Sequence, residues 1–453
     1  MSKSSSIYIC QQCGYQSPSW MGKCPECGTW GSLIETITES QKSKVKSQKL
    51  VELERLSQVK VTDSERMPTG FEEFDRVLGG GPPTGRAGIV GGSVILLAGD
   101  PGIGKSTLLL KLAENVASAK KDKKVLYVSG EESAFQIKLR ANRVLNSQAK
   151  VKIPDNLYVV CQTDVDAIAN LFWENDFSLV VVDSIQTMTS DELSGSSGSI
   201  GQVKYATQIL HRVAKEKNIP LFLVGHVTKE GAIAGPRVVE HLVDVVLYLE
   251  GEEFSRLRLL RAIKNRFGTI LEVGVFEMAE GGMIEVLNPS ELFLSQRRKN
   301  TPGSIVVPTL QGRRPILAEI QALVTPTSFG MPRRVATGVD YNRLLMIIAV
   351  LSKRVNLPLG NSDIYINIAG GLKIFEPACD LGIALAIASA SKFLPISDRL
   401  TAVGEVGLLG EVREVAESKR RLTEAKKLGF KTFLTSREAP TLEQAVKFVL
   451  SNH

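Results

Sequence analysis

One stretch limits what this chain can fold into more than any other: LLAGDPGIGKSTLLLKLAENV, Leu96 to Val116. An apolar run that reads as a strand ends at Gly99, a glycine-rich turn follows, and Lys105 and Ser106 open a helical pattern, so the stretch fits GxxxxGK[ST] in its required setting. Gly99, Asp100, Pro101, Gly102, Ile103 and Gly104 supply a loop whose backbone N–H groups can wrap phosphates. Lys105 is placed to reach the β and γ phosphates of ATP, Ser106 offers a hydroxyl to Mg²⁺, and Thr107 completes the set. A strand, loop and helix in this order also predict an α/β fold.

The surrounding chain agrees. SVILLAG, KVLYVSG, NLYVVC, SLVVVDS, IPLFLVGH and DVVLYLEG are short apolar runs with amphipathic segments between most of them. Strands that are apolar on both faces and alternate with helices predict a mostly parallel sheet covered on both sides. Asp183 ends one run and is placed to hold the magnesium shell. Glu131 and Glu132 end another, in VLYVSGEES, and a carboxylate there can orient and deprotonate an attacking water. The plainer reading of SGEES is a turn that caps the next helix.

Four of the six cysteines, Cys10, Cys13, Cys24 and Cys27, form CxxC, ten residues, CxxC. That spacing predicts a tetrahedral Zn²⁺ site of four thiolates, closed and therefore structural or recognition-related. Trp20 and Trp30 are candidates to cover its small core, and Cys161 and Cys379 read as core residues. The start, MSKSSSIYIC, lacks the apolar segment of a secretory signal, and no apolar run approaches the roughly 18 residues of a membrane span, so the expectation is a cytoplasmic protein with no membrane partner. With 453 residues, 43% of them hydrophobic, the chain can bury more than one core; its net charge of +7 is compatible with nucleic acid without requiring it.

RAIKNRFGTI, Arg261 to Ile270, sets Lys264 and Arg266 two apart on what reads as a strand, hence on one face. Like charges so placed call for an anion opposite them.

CQQCGYQSPSWMGKCPECGTWGSL, GDPGIGKST, YVSGEES, VVVDSIQT, LVGHVTKEG and KNRFG occur in this order along the chain. Together they resemble the RadA/Sms family of bacterial DNA repair ATPases, which join a zinc finger, a RecA-like ATPase core and a Lon-protease-like domain. GGGPPTGRAGIVGGS, before the nucleotide-loop strand, is longer than that family's usual link. The resemblance implies a C4 zinc finger at 1–33, a linker at 34–58, a RecA-like domain at 59–285 and a Lon-protease-like α+β domain at 286–453. It also implies Glu131 as catalytic base. Hexameric helicases of the DnaB type resemble this chain in a Lys-x-Arg pair that reaches a neighbouring subunit's ATP, which makes Lys264 and Arg266 candidate catalytic cations acting between subunits. The alternative for the pair is a basic strand edge that deters aggregation.

SDELSGSSGSIGQVKYA and HVTKEGAIAGPRVVEH follow two of the strands; the first reads as mobile, and the second carries Lys229 and Arg237. In RecA-like folds the matching loops grip single-stranded DNA, with flexible surface loops as the alternative. His226 is a candidate nucleotide sensor or an ordinary strand-end histidine. In the C-terminal part, FEPACDLG aligns Ala378 with the Lon-type nucleophilic serine, and Lys419 matches that family's lysine, so a peptidase lacks its nucleophile here. Basic pairs at Arg313 and Arg314, Arg333 and Arg334, and Lys353 and Arg354 are candidate duplex-DNA contacts or solvated charge. The resemblance implies a DNA-dependent ATPase motor that migrates branches and extends strand exchange on branched and single-stranded DNA alongside RecA, as a homo-oligomer, expected to be a hexamer. A nucleotide switch regulating protein partners is the alternative.

Overall fold

The computed structural model describes residues 6–10, 15–37, 66–79, 87–146, 152–226, 237–251, 256–328 and 330–451. The chain divides into two compact units, residues 1–62 and 63–453. In the first unit, strands β1 (Ser6–Cys10), β2 (Gln16–Ser17) and β3 (Leu33–Ile37) form an antiparallel sheet with β1 in the middle. Cys10, Cys24 and Leu33 make its small core, against which Tyr8, Tyr15 and Met21 pack. Trp20 and Trp30 do not cover that core: they are 61% and 74% exposed, and Tyr8, Tyr15 and Met21 pack against it instead.

The second unit opens with helix α1 (Glu72–Gly79) and strand β4 (Val94–Gly99), followed by α2 (Lys105–Ala119), β5 (Lys124–Ser129), α3 (Ala134–Asn146), β6 (Leu157–Cys161), α4 (Val165–Glu174), β7 (Phe177–Asp183), α5 (Ile200–Glu216), β8 (Leu221–His226), α6 (Arg237–Glu240) and β9 (Val245–Glu250). Three antiparallel strands close the sheet: β10 (Leu257–Asn265), β11 (Val273–Ala279) and β12 (Gly282–Glu285). The strand order is β12-β11-β10-β9-β4-β8-β7-β5-β6, with β9, β4, β8, β7, β5 and β6 parallel.

The period of two is visible in how the strands divide their side chains. Ile95, Leu97, Val125, Tyr127, Leu179 and Val181 enter one core with residues of α1, α2 and α3. Val94, Leu96, Leu126, Val128, Val180 and Val182 enter another with residues of α4 and α5. Both faces are covered, which is why these strands read as unbroken apolar runs. At the sheet edge β6 is only partly buried, and Cys161 at its end is exposed and no core residue.

After α7 (Pro289–Leu294) come β13 (Ser304–Gln311), β14 (Arg314–Pro326), β15 (Arg334–Thr337), α8 (Tyr341–Arg354), β16 (Ser362–Ile368), α9 (Asp380–Lys392), β17 (Leu400–Ala402), β18 (Glu405–Val406), β19 (Val412–Arg413), α10 (Ser418–Lys427), β20 (Thr432–Leu434) and α11 (Leu442–Ser451). A six-stranded sheet, β15-β16-β14-β13-β17-β20, packs one face on α8, α9 and α11, while Ala425 of α10 joins Val306 and Leu317 on the other.

The two sheets of this unit meet at a polar seam. Buried Arg314, at the start of β14, pairs with buried Glu73 of α1 and donates to the carbonyls of Val273 (3.3 Å) and Leu287 (3.0 Å). Glu73 also accepts from the Val275 N–H at 2.8 Å. Arg314 is therefore no candidate for DNA, unlike its exposed neighbour Arg313. Among the described residues, no helix is long and apolar enough to cross a membrane.

Candidate nucleotide site

The loop from Gly99 to Gly104 joins the carboxyl end of β4 to α2. Gly104 caps the helix at φ 109°, a conformation that L side chains rarely adopt, and a Cβ there would also lie 2.6 Å from the methyls of Met278 and Met283. At Gly99 a Cβ would lie 2.5 Å from the Leu249 carbonyl of β9. Arg258, buried on β10, donates from Nε to the Ile103 carbonyl at 3.2 Å and so ties the loop to the antiparallel strands. Sequence reasoning missed it, since 155 residues separate the partners.

Lys105 is buried, and its ammonium donates to the carbonyls of Gly99 and Asp100, each at 2.9 Å. Burial lowers its pKa to about 8, opposed by Asp183, Asp100 and Glu131. Ser106 and Thr107, half-buried, follow in the first turn of α2, where free N–H groups and the helix dipole favour an anion.

β5 and β7 pair with Ser129 opposite Asp183, so Glu131 and Asp183 emerge at the same edge of the sheet. Asp183 is buried and accepts a hydrogen bond from the Tyr127 hydroxyl at 2.5 Å. Glu131 is half-exposed, accepts from the Ser184 hydroxyl at 2.7 Å, and lies 3.7 Å from Nε2 of His226. His226 ends β8 opposite Gly99, and burial, then Lys105, holds its imidazole below the usual pKa. The structure thus gathers Lys105, Asp183, Glu131 and His226 around the loop. Glu132 instead pairs with Arg140 of α3, and its N–H donates to the Ser129 hydroxyl, the structural role expected of a capping turn.

Lys264 and Arg266 lie elsewhere. Asn265 pairs with Val245, which pairs with Ile95 near the amino end of β4, so the two cations sit at the end of the sheet opposite the Gly99–Gly104 loop. Four strand steps of about 3.3 Å each, from Ile95 to Gly99, put roughly 13 Å between those ends. Their own chain supplies the facing anion: Arg266 lies 3.4 Å from Asp244, and Lys264 donates to the carbonyls of Glu240 (2.8 Å) and Val243 (2.7 Å). The pairing register shifts between Ala262 and Lys264, and Arg266 follows the end of the strand. Burial, and then Arg266, lowers the Lys264 pKa.

In the first unit the sulfurs of Cys10, Cys24 and Cys27 lie within 4.8 Å of one another, with Cys10 and Cys27 at 3.6 Å. Tetrahedral Zn–S bonds of about 2.3 Å require S–S distances of about 3.8 Å, so these three thiols fit zinc. Cys13 lies outside the described residues, as do Lys229 and the Arg237 side chain. The start of the segment after β7 is held by the Gln202 amide, which accepts from the Ser190 N–H (2.9 Å) and donates to the carbonyls of Ser190 (3.0 Å) and Leu193 (2.6 Å), while residues 194–197 are exposed. In the C-terminal part Ala378 and Cys379 are buried, burial pushes the Cys379 thiol far up, and Lys419 is exposed. Beside them Glu376 and Arg421 form a two-point ion pair at 2.7 and 2.5 Å.

A protein from Halalkalibacterium halodurans described as "DNA repair protein RadA" is 48% identical over 436 residues, covering 95% of this chain and 92% of its own. The chain belongs to the RadA family of DNA repair proteins. The Bacillus subtilis RadA is 47% identical over 441 residues, covering 96% of this chain and 93% of its own. Family models match at 8–35 (rubredoxin metal binding domain), 79–232 (AAA domain) and 341–439 (subunit ChlI of Mg-chelatase). A solved structure of the RadB recombinase overlays 49% of this chain and 99% of its own at 23% identity, with a TM-score of 0.38, too low to bear an argument. The architecture is a zinc ribbon, a RecA-like ATPase core and a Lon-protease-like C-terminal part, and ATP and zinc are its ligands.

Proposed function

We propose that this RadA protein is a DNA-dependent ATPase that drives the processing of branched recombination intermediates, assembled as a ring of copies in the cytoplasm and acting beside RecA. The supporting observation is the separation of Lys264 and Arg266 from their own Lys105 by the length of β4. Cations that cannot reach the phosphates of their own chain are available to those of the next.

In this reading the Gly99–Gly104 loop and the amino end of α2 hold the phosphates, and Lys105 leaves its loop carbonyls for the β and γ oxygens. Magnesium, when bound, neutralises charge developing on the phosphoryl oxygens, with Ser106 and Asp183 as the residues that would hold its shell. Glu131, steadied by Ser184 and next to His226, takes the proton of the attacking water. Lys264 and Arg266 of a neighbouring copy stabilise the transition-state charge, a contribution on the order of 10³-fold or more. Hydrolysis then depends on assembly. In this reading the stretches 190–206 and 226–241 carry the contacts to single-stranded DNA, the second lying largely outside the described residues, and Arg313, Arg333, Lys353 and Arg354, all exposed, contact duplex. The domain limits are those of the sequence reading, 1–33, 34–58, 59–285 and 286–453. Peptidase activity is excluded in this reading because the methyl of Ala378 is no nucleophile.

The test mixes Arg266→Ala with Glu131→Gln protein, each inactive alone. Once subunits demonstrably exchange, part of the ATPase should return; its failure to return sinks action between copies. ATPase rates with and without single-stranded DNA, together with particle size under ATP, check the motor. A rate indifferent to DNA would favour the nucleotide switch.

A further inference from the structure

Tyr127 carries a hydroxyl that none of the steps above uses. It lies on β5 opposite Val181 of β7, fully buried, with its ring in the core shared with α1, α2 and α3. Its hydroxyl donates to Oδ2 of Asp183 at 2.5 Å. A carboxylate at the end of a strand turns easily, because its last torsion has a broad two-fold preference. One hydrogen bond to Oδ2 restricts that freedom and leaves the carboxylate's other oxygen, Oδ1, to meet a ligand.

We propose that Tyr127 is a positioning residue for metal binding: it fixes the rotation of Asp183 so that Oδ1 alone meets the shell of the magnesium that accompanies ATP. This rests on the reading of Asp183 as a magnesium-shell residue. Hydrogen bonds behind metal-facing carboxylates carry measurable affinity, and their loss commonly costs about 10- to 100-fold. A tyrosine that merely fills space would change stability and leave metal affinity alone.

The experiment uses the full chain with a fluorescent, non-hydrolysable ATP analogue. Affinity for the analogue is measured in EDTA, and the Mn²⁺ affinity of the analogue complex by electron paramagnetic resonance. Tyr127→Phe should weaken Mn²⁺ binding by about tenfold or more while leaving metal-free analogue binding unchanged. Wild-type Mn²⁺ affinity in this variant overturns the role of Tyr127. Asp183→Asn serves as the second arm. If it keeps wild-type Mn²⁺ affinity, the magnesium reading of Asp183 falls and the proposal with it; if it loses Mn²⁺ while Tyr127→Phe does not, only the positioning role falls. Should Tyr127→Phe not fold, 3-fluorotyrosine introduced at position 127 gives a ¹⁹F signal. That signal should move when Mg²⁺ joins the analogue complex, and a stationary signal overturns the proposal.

Discussion

Two adjacent glutamates show how little separates a catalytic candidate from a structural one. Glu131 and Glu132 are equivalent in sequence, yet Ser184 and His226 surround the first while Arg140 takes the second. Glu131→Gln is expected to lower ATP turnover by about 10²- to 10⁴-fold with nucleotide affinity retained, measured as single-turnover hydrolysis against analogue binding. Glu132→Gln should act on the start of α3 instead and leave turnover within a few-fold. Lys105 gives a pH signature. With its pKa near 8 in the free protein, it is charged below that pH and increasingly neutral above it. Phosphates bind the charged form, so analogue affinity should be flat below about pH 8 and fall by up to about tenfold per pH unit above it. An Arg at position 105 stays charged and should abolish the slope; an unchanged slope in Lys105→Arg would assign it to another group. The loop, Lys105, Ser106 and Asp183 were legible because each belongs to a short local pattern. Arg258 and Tyr127 were not, because their partners lie 155 and 56 residues away and nothing local marks them.

At the scale of elements, the six parallel strands could be read directly, since β4, β5, β7, β8 and β9 are buried on both faces and even the half-buried edge strand β6 is an apolar run. The antiparallel end of the sheet was harder. β10 carries charge on a half-buried strand, and the register shift at Ala262 and Lys264 has no sequence mark. The seam between the two sheets has no sequence mark: Arg313 and Arg314 read alike as duplex contacts or solvated charge, and burial takes only Arg314 out of both. Arg314 is held by Glu73, and removing it leaves that carboxylate buried with a partner lost. Arg314→Ala should destabilise residues 63–453 by about 3–5 kcal/mol, read from denaturant unfolding, whereas Arg313→Ala should change stability by less than about 0.5 kcal/mol. Equal effects of the two would show that the seam contributes nothing.

At the scale of the molecule, the two compact units differ in what holds them together. Among the described residues the first has a core of three, two of them cysteines, so chelating its zinc is expected to melt its strands, followed by protease sensitivity of residues 1–37. The second has large apolar cores on both faces of its nine-stranded sheet and on one face of its six-stranded sheet, and its analogue affinity should survive the same treatment within a factor of about two. Loss of both together would contradict the division.

The cations and the phosphate loop occupy opposite ends of one sheet, so in the proposed assembly one surface gives and a different surface receives. Contacts of that kind are head-to-tail, and they make either closed circles or unending helices according to the rotation between neighbours. An open row always has one loop without a donor at one end and one donor without a loop at the other. Closing the circle removes both defects at once, so the angle between adjacent copies, set far from any reacting atom, determines how many reaction centres are complete.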